Sequence, residues 1–227
     1  GRHLLSILQT LRHRQSQFER LLSMLLLKNR SATSSNSWII LPMQQLDKFE
    51  LPSGFRGRSG AWCQLWWIVQ ACLFSTSPQF MYAWRRLLLR AFGATIGKGV
   101  IIRASARITY PWKLTIGDHA WIGDHVDLYT LGKISIGAHA VVSQRSYLCT
   151  GSHDPASRKF QIFTKPIVVE EGAWIGADVF VGPGVTIGRN SLIGARSSLF
   201  SDTEADFVYF GSPARKIRSR IFYAESG

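Results

Sequence analysis

This chain of 227 residues has only three cysteines, and no Cys-x-x-Cys pair among them. Cys63, Cys72 and Cys149 are odd in number, widely spaced and set among apolar residues, so they read as free thiols in a reducing compartment rather than as a disulfide framework. Long apolar runs are missing too. The strongly apolar stretch at residues 61–74 (AWCQLWWIVQACLF) falls short of the roughly 20 apolar residues that span a bilayer, and Gln64 and Gln70 interrupt it. Acidic residues are scarce in the first half. Residues 1–113 hold 16 Lys/Arg against three Asp/Glu, whereas residues 114–227 hold 11 of each. The net charge of +13 therefore belongs to the N-terminal part. No aromatic-plus-basic motif accompanies it, so nucleic acid is not an expected partner.

The C-terminal half lacks both the 3.6-residue period of an amphipathic helix and the alternation of a half-buried strand. It has a period of six instead. An aliphatic residue recurs at Ile96, Ile102, Ile108; at Ile116, Ile122, Leu128, Ile134; at Ile136, Val142, Leu148; and at Val169, Ile175, Val181, Ile187, Ile193, Leu199. Glycine often follows it, and a small or β-branched residue stands four after it. Six-residue self-similarity marks a parallel β-helix. Three six-residue faces per coil give roughly five coils, about 24 Å at strand spacing of ~4.8 Å. Glycine is expected at the tight corners, where positive φ carries no Cβ penalty. Two-residue slips precede Ile116 and Ile136, and Pro111-Trp112 sits at the first as a corner bulge.

Four regions follow. Residues 1–45 form a basic appendage of unassigned role, with an amphipathic, Arg-rich helix over 1–30 and a Ser-rich linker at 31–37. Residues 46–95 form an N-terminal helical cap. Its tryptophan-rich segment and the Tyr82–Phe92 segment have two open readings: closure of the β-helix end, or an interfacial anchor with arginines toward anionic lipid. Residues 96–204 are the β-helix, and 205–227 a C-terminal tail.

The ladder fails once, from residue 149 to 166, where a polar and aromatic loop carries Thr-Gly-Ser-His153-Asp154-Pro155. A long loop ejected from a rigid frame is where function concentrates. His153 can act as a general base near neutral pH, and a carboxylate such as Asp154 can orient its tautomer.

The hexapeptide ladder, this loop, Gly172-Ala-Trp-Ile-Gly176, Gly182-Pro-Gly-Val-Thr-Ile-Gly188, Gly194-Ala195 and Gly211-Ser-Pro-Ala-Arg215 resemble the hexapeptide-repeat acyltransferases. With Phe55-Arg-Gly-Arg-Ser59 and the tryptophan-rich helix, residues 46–220 are most similar to the colanic acid biosynthesis acetyltransferases of exopolysaccharide clusters. The resemblance implies a mainly β fold, a left-handed parallel β-helix with N-terminal helices, assembled as a cytoplasmic homotrimer with acetyl-CoA between subunits. It implies His153 as the base for direct acetyl transfer to a sugar hydroxyl of a lipid- or nucleotide-linked glycan, with no metal. It assigns acetyl-CoA contacts to Trp174, Gly176, Ala177, Gly194 and Ala195, and CoA phosphates to Arg215 and Arg218. Where galactoside-type members carry an acceptor-binding asparagine, this chain has Tyr129, which makes Asp127 and Tyr129 the candidate acceptor contacts.

Three alternatives use the same frame. One is acetylation of a free sugar or an antibiotic. A second is zinc chemistry of the γ-carbonic-anhydrase type, for which His119, His125 and His139 are candidate ligands and His119 and His139 could stack on one face. The third is a non-catalytic scaffold in a polysaccharide assembly complex.

Overall fold

The protein, described by a computed structural model over residues 44–222, winds through three parallel sheets in turn from Thr95 onward. The first face stacks Thr95–Ile96, Leu114–Ile116, Ile134–Ile136, Ile167–Val169 and Thr186–Ile187. The second stacks Ile101–Ile102, Trp121–Ile122, Val141–Val142, Trp174–Ile175 and Leu192–Ile193. The third stacks Arg107–Ile108, Asp127–Tyr129, Tyr147–Cys149, Phe180–Val181 and Ser198–Leu199. The ladder residues pair with one another, as in Ile102 beside Ile122 and Leu128 beside Leu148, and point inward as one core. The small residues four positions later are buried with them, and where one is polar its hydroxyl is satisfied: Ser146 donates to the Gly176 carbonyl at 2.7 Å. Five complete coils result. A bridge from Thr203 to Ile187 and the strand Phe207–Gly211, which joins the second face beside Leu192–Ile193, begin a sixth. The expected tail thus contributes sheet, because Ala214–Ser219 folds back antiparallel on Phe207–Gly211.

The corners depart from expectation in part: glycine carries the positive φ at Gly99, Gly172 and Gly184, each three after a ladder residue. The glycines that follow the ladder residues do not carry the positive φ; the residue three after the ladder position does, at His119, His125, His139, Arg145, Asp178, Asn190 and Arg196, with φ between 54° and 61°. Those polar side chains tolerate the left-handed region at a cost that the stacked coils impose. The glycines serve close approach instead. A Cβ on Gly117 would lie 2.5 Å from the Ala138 nitrogen, and one on Gly137 2.5 Å from the Glu171 nitrogen.

The two slips and the long loop all fall at one corner, between the third and first faces. Residues 109–113, 129–133 and 149–166 stack there, and the first forms a 3-10 turn at Pro111–Lys113 rather than a bulge. Threonines twenty apart tie the three levels together. The Thr130 hydroxyl accepts from the Tyr110 N–H at 2.6 Å and donates to its carbonyl at 3.0 Å. The Thr150 hydroxyl donates to the Tyr129 carbonyl at 2.6 Å and accepts from the Gly132 N–H at 2.8 Å.

Two helices close the first coil. Helix α1 (Gly60–Val69), capped by the Ser59 hydroxyl, runs on into a π-helical turn at Gln70–Phe74; α2 spans Tyr82–Ala91. Their side chains occupy backbone groups that the first-coil strands would otherwise present unpaired. Trp66 donates to the Ile108 carbonyl at 2.8 Å, and Gln70 accepts from the Ile108 N–H at 2.8 Å. Arg85 donates to the Ile102 carbonyl, Arg86 to Val100 and Arg90 to Ile96, at 2.7, 2.8 and 2.7 Å. These contacts hold both helices against the first coil. Part of the basic excess consists of guanidinium donors for strand edges. Among the described residues no helix is long and apolar enough to cross a membrane.

Candidate active site

The loop leaves the third face as a hairpin, Gly151–His153 against Ile162–Thr164, rooted on the threonine ties below it. His153 stands at its upper end. Its Nδ1 lies 2.7 Å from the Phe160 carbonyl oxygen. A carbonyl only accepts, so in the neutral ring Nδ1 carries the proton and Nε2 the lone pair. Phe160, at φ 51°, also lays its ring against the imidazole at 3.8 Å with 13° between planes. On another side stands Phe49, 5.9 Å away. It belongs to a segment that follows the Gln45 N–H bond to the Arg158 carbonyl (2.7 Å) and the 3-10 turn Leu46–Lys48. The half-buried imidazole is thus gripped by two phenyl rings and one backbone oxygen.

Asp154 sits beside it in sequence but works elsewhere. Its carboxylate accepts from the Ala156 N–H at 2.9 Å, closing the turn at the hairpin tip. The orienting group for His153 in this structure is the Phe160 carbonyl, not Asp154.

The expected acetyl-CoA residues fall into two places. Trp174, Gly176, Ala177, Gly194 and Ala195 line one groove of about 320 Å³ with Ser143 and Gln144. The groove runs along the second face and its corner with the third. Its floor is backbone at close quarters: a Cβ on Gly176 would lie 2.7 Å from the Ile193 oxygen. Such a floor admits a narrow, extended chain and fits a pantetheine arm. Arg215 and Arg218 lie apart from it, exposed on the returning strand Ala214–Ser219. No carboxylate neutralises them among the described residues, whereas the adjacent Lys216 is paired with Glu204 at 2.7 Å.

Asp127 and Tyr129 share a cleft of about 500 Å³ on the third face with Arg107, Tyr147, Trp67 and Gln70. Burial pushes the Asp127 carboxyl above its ordinary range, opposed by Arg107, whose Nε stands 4.0 Å away. Burial likewise pushes Tyr129 and Tyr147 upward, the latter helped by Cys149. His119 and His139 do stack, with ring centroids 5.3 Å apart, while His125 turns a different corner. Among the described residues no three His, Cys, Asp or Glu side chains gather as a metal-holding group.

Phe49 and Phe160 were not legible as site residues. One acts through a backbone carbonyl and the other stands about a hundred residues upstream of the loop, so neither left a spacing signal.

Comparison with known proteins agrees with this architecture. The family model "Bacterial transferase hexapeptide (six repeats)" matches residues 166–200. WcaF of Escherichia coli (strain K12), provisionally a colanic acid biosynthesis acetyltransferase, is 59% identical over 79% of this chain and 98% of its own length. The galactoside O-acetyltransferase of the same organism is 28% identical over 59% of this chain and 68% of its own. Among solved structures, a hexapeptide-repeat-containing acetyltransferase from Vibrio cholerae in complex with acetyl coenzyme A superposes with a TM-score of 0.67 at 28% identity, covering 73% of this chain and 92% of that one. A left-handed parallel β-helix with N-terminal helices, a long loop thrown from one corner and a relative 59% identical over 98% of its own length place this chain in the hexapeptide-repeat acetyltransferase family, beside the colanic acid biosynthesis branch.

Proposed function

We propose that the protein transfers the acetyl group of acetyl-CoA directly to a hydroxyl of a sugar during exopolysaccharide assembly, with His153 as the general base. The observation that carries this reading is the Nδ1 contact with Phe160, which leaves Nε2 free to accept a proton. His153 removes the acceptor's hydroxyl proton as that oxygen forms a bond to the thioester carbonyl carbon. The carbon–sulfur bond then breaks, and the imidazolium returns its proton to the departing CoA thiolate. No acetyl group resides on the protein.

The topology supports a site shared between copies. His153 stands at the corner of the third and first faces, and the Trp174–Ala195 groove at the corner of the second and third. The third face separates them in one chain. A homotrimer that sets the groove of one copy against the loop of the next would unite them, with Arg215 and Arg218 as guanidinium partners for CoA phosphates. The acceptor would enter past Asp127 and Tyr129. We place the reaction on the cytoplasmic side, with the protein peripheral to the inner membrane face, where a lipid-linked or nucleotide-linked glycan is at hand.

The test is acetyl-CoA consumption against nucleotide sugars, lipid-linked glycans and simple glycosides, with mass detection of product. O-acetylated sugar is expected, and His153→Ala should lower turnover by about 10²–10⁴-fold while acetyl-CoA still binds. Transfer only to amines, or full turnover without His153, would sink the reading.

A further inference from the structure

Among the described residues the outward side of α1 stays exposed. From Ala61 to Phe74 the chain carries no charged residue. Cys63, Trp66 and Phe74 are buried against the prism, yet Leu65, Ile68 and Leu73 on the opposite side are 45, 60 and 46% exposed. Trp62 and Leu65 are one helical turn apart, as are Leu65 and Ile68. The π turn, closed by the Ser75 N–H bond to the Gln70 carbonyl, then keeps Leu73 outward. The polar residue that does interact, Gln70, points inward to Ile108. Gln64 is the one polar side chain among these outward residues of α1, and a face so largely apolar belongs against an apolar medium.

The surroundings select that medium. Residues 44–113, the cap and first coil, carry ten Lys/Arg against two Asp/Glu, and of the ten only Arg103 and Arg107 face carboxylates of the next coil, Asp124 and Asp127. Arg56 and Arg58 directly precede the Ser59 cap of α1, and exposed Lys98 sits at the first corner of the prism. Two such ends brought face to face would repel, which disfavours a second copy of the chain as the cover. An anionic bilayer supplies negative charge and an apolar layer together.

We propose that the cap end of the prism docks on an anionic lipid surface, with Trp62, Leu65, Ile68 and Leu73 entering the headgroup–acyl boundary and the adjacent basic residues facing lipid phosphates. The proposal rests on the peripheral location inferred above and names the surface responsible. Docking by one end leaves the faces of the prism, with the groove and the His153 corner, clear of the bilayer plane.

The experiment is co-sedimentation of the full chain with vesicles of phosphatidylethanolamine and phosphatidylglycerol, against vesicles of phosphatidylcholine alone. Wild-type protein should pellet with the anionic vesicles and release as salt rises. The Leu65→Gln/Ile68→Gln double substitution should weaken pelleting by about tenfold or more, and Arg58→Gln/Lys98→Gln by about tenfold. Both should retain acetyl-CoA binding and turnover of soluble acceptors. Wild-type protein that stays in the supernatant overturns the proposal. So does unchanged pelleting of Leu65→Gln/Ile68→Gln, since another part of the chain then carries attachment. Equal pelleting with phosphatidylcholine overturns it as well, and so does a change in oligomeric mass of the apolar variant without vesicle binding, which would mean that protein covers the face. Turnover on soluble acceptors is read separately, so failure here is distinct from failure of the acetyl-transfer reading.

Discussion

His153 and Phe160 meet twice: the imidazole Nδ1 lies 2.7 Å from the Phe160 carbonyl, and the rings stack at 3.8 Å. Six residues of the loop, 154–159, lie between them. The contact fixes tautomer and ring plane together, a task often assigned to a carboxylate.

Asp154 should therefore matter little to the base itself. Asp154→Asn keeps an oxygen for the Ala156 N–H and should retain turnover within about threefold, against the 10²–10⁴-fold typical of a general base. Asp154→Ala, which opens the turn, should cost more than Asp154→Asn. Steady-state kcat of both variants checks this; a loss for Asp154→Asn as deep as for His153→Ala would return the orienting role to the carboxylate.

The groove floor gives a second expectation. Ala177 lines it without being buried in the core. Ala177→Leu should raise KM for acetyl-CoA by about tenfold, the factor that 1.4 kcal/mol of lost binding produces, and leave the melting temperature unchanged. A fall in melting temperature with an unaltered KM would make Ala177 a corner residue only.

Asp127 offers a pH test. Burial raises its carboxyl in the folded state, so in the window between the unfolded and folded values the folded chain binds more protons. Stability contributed by this group is present below the unfolded value and falls as pH rises through the folded one. Asp127→Asn should accordingly raise the melting temperature at pH 7, and the gain should shrink toward pH 3. Thermal melts across that range, at one protein concentration, measure it; a destabilised Asn variant at pH 7 would mean the pairing with Arg107 dominates.

Arg85 tests the cap. Its fully buried guanidinium donates to Ile102, Pro78 and Gln79 carbonyls and the Ser77 hydroxyl. Arg85→Met fills similar volume but leaves those acceptors without a donor, and should cost about 3 kcal/mol. The shift in denaturant midpoint reads it directly.

Much of this was written in the residue order. The ladder fixes the three faces because inward positions admit only aliphatic side chains, and its failure at 149–166 exposes the loop. The groove residues were legible because small residues recur where coils touch. What stayed hidden depends on backbone. Phe160 acts through its carbonyl, and any residue has one. The positive φ sits three after the ladder residue, on Gly99, Gly172 and Gly184 as well as on His119, Asp178 and Asn190, whereas glycine one after the ladder serves contact with the next coil. That the two slips and the loop share a corner needed only the coil length, since Tyr110, Thr130 and Thr150 are twenty apart. The tail strands, lacking the six-residue period, left no comparable trace.

An open end of a stacked coil is a template, since any extended segment arriving there could be bonded as the next rung and would present the same edge again. Trp66, Gln70, Arg85, Arg86 and Arg90 hold the acceptors and donors of that first rung within the chain itself. The rod consequently has a set number of rungs, and accretion of further chains into a fibre stops at Thr95.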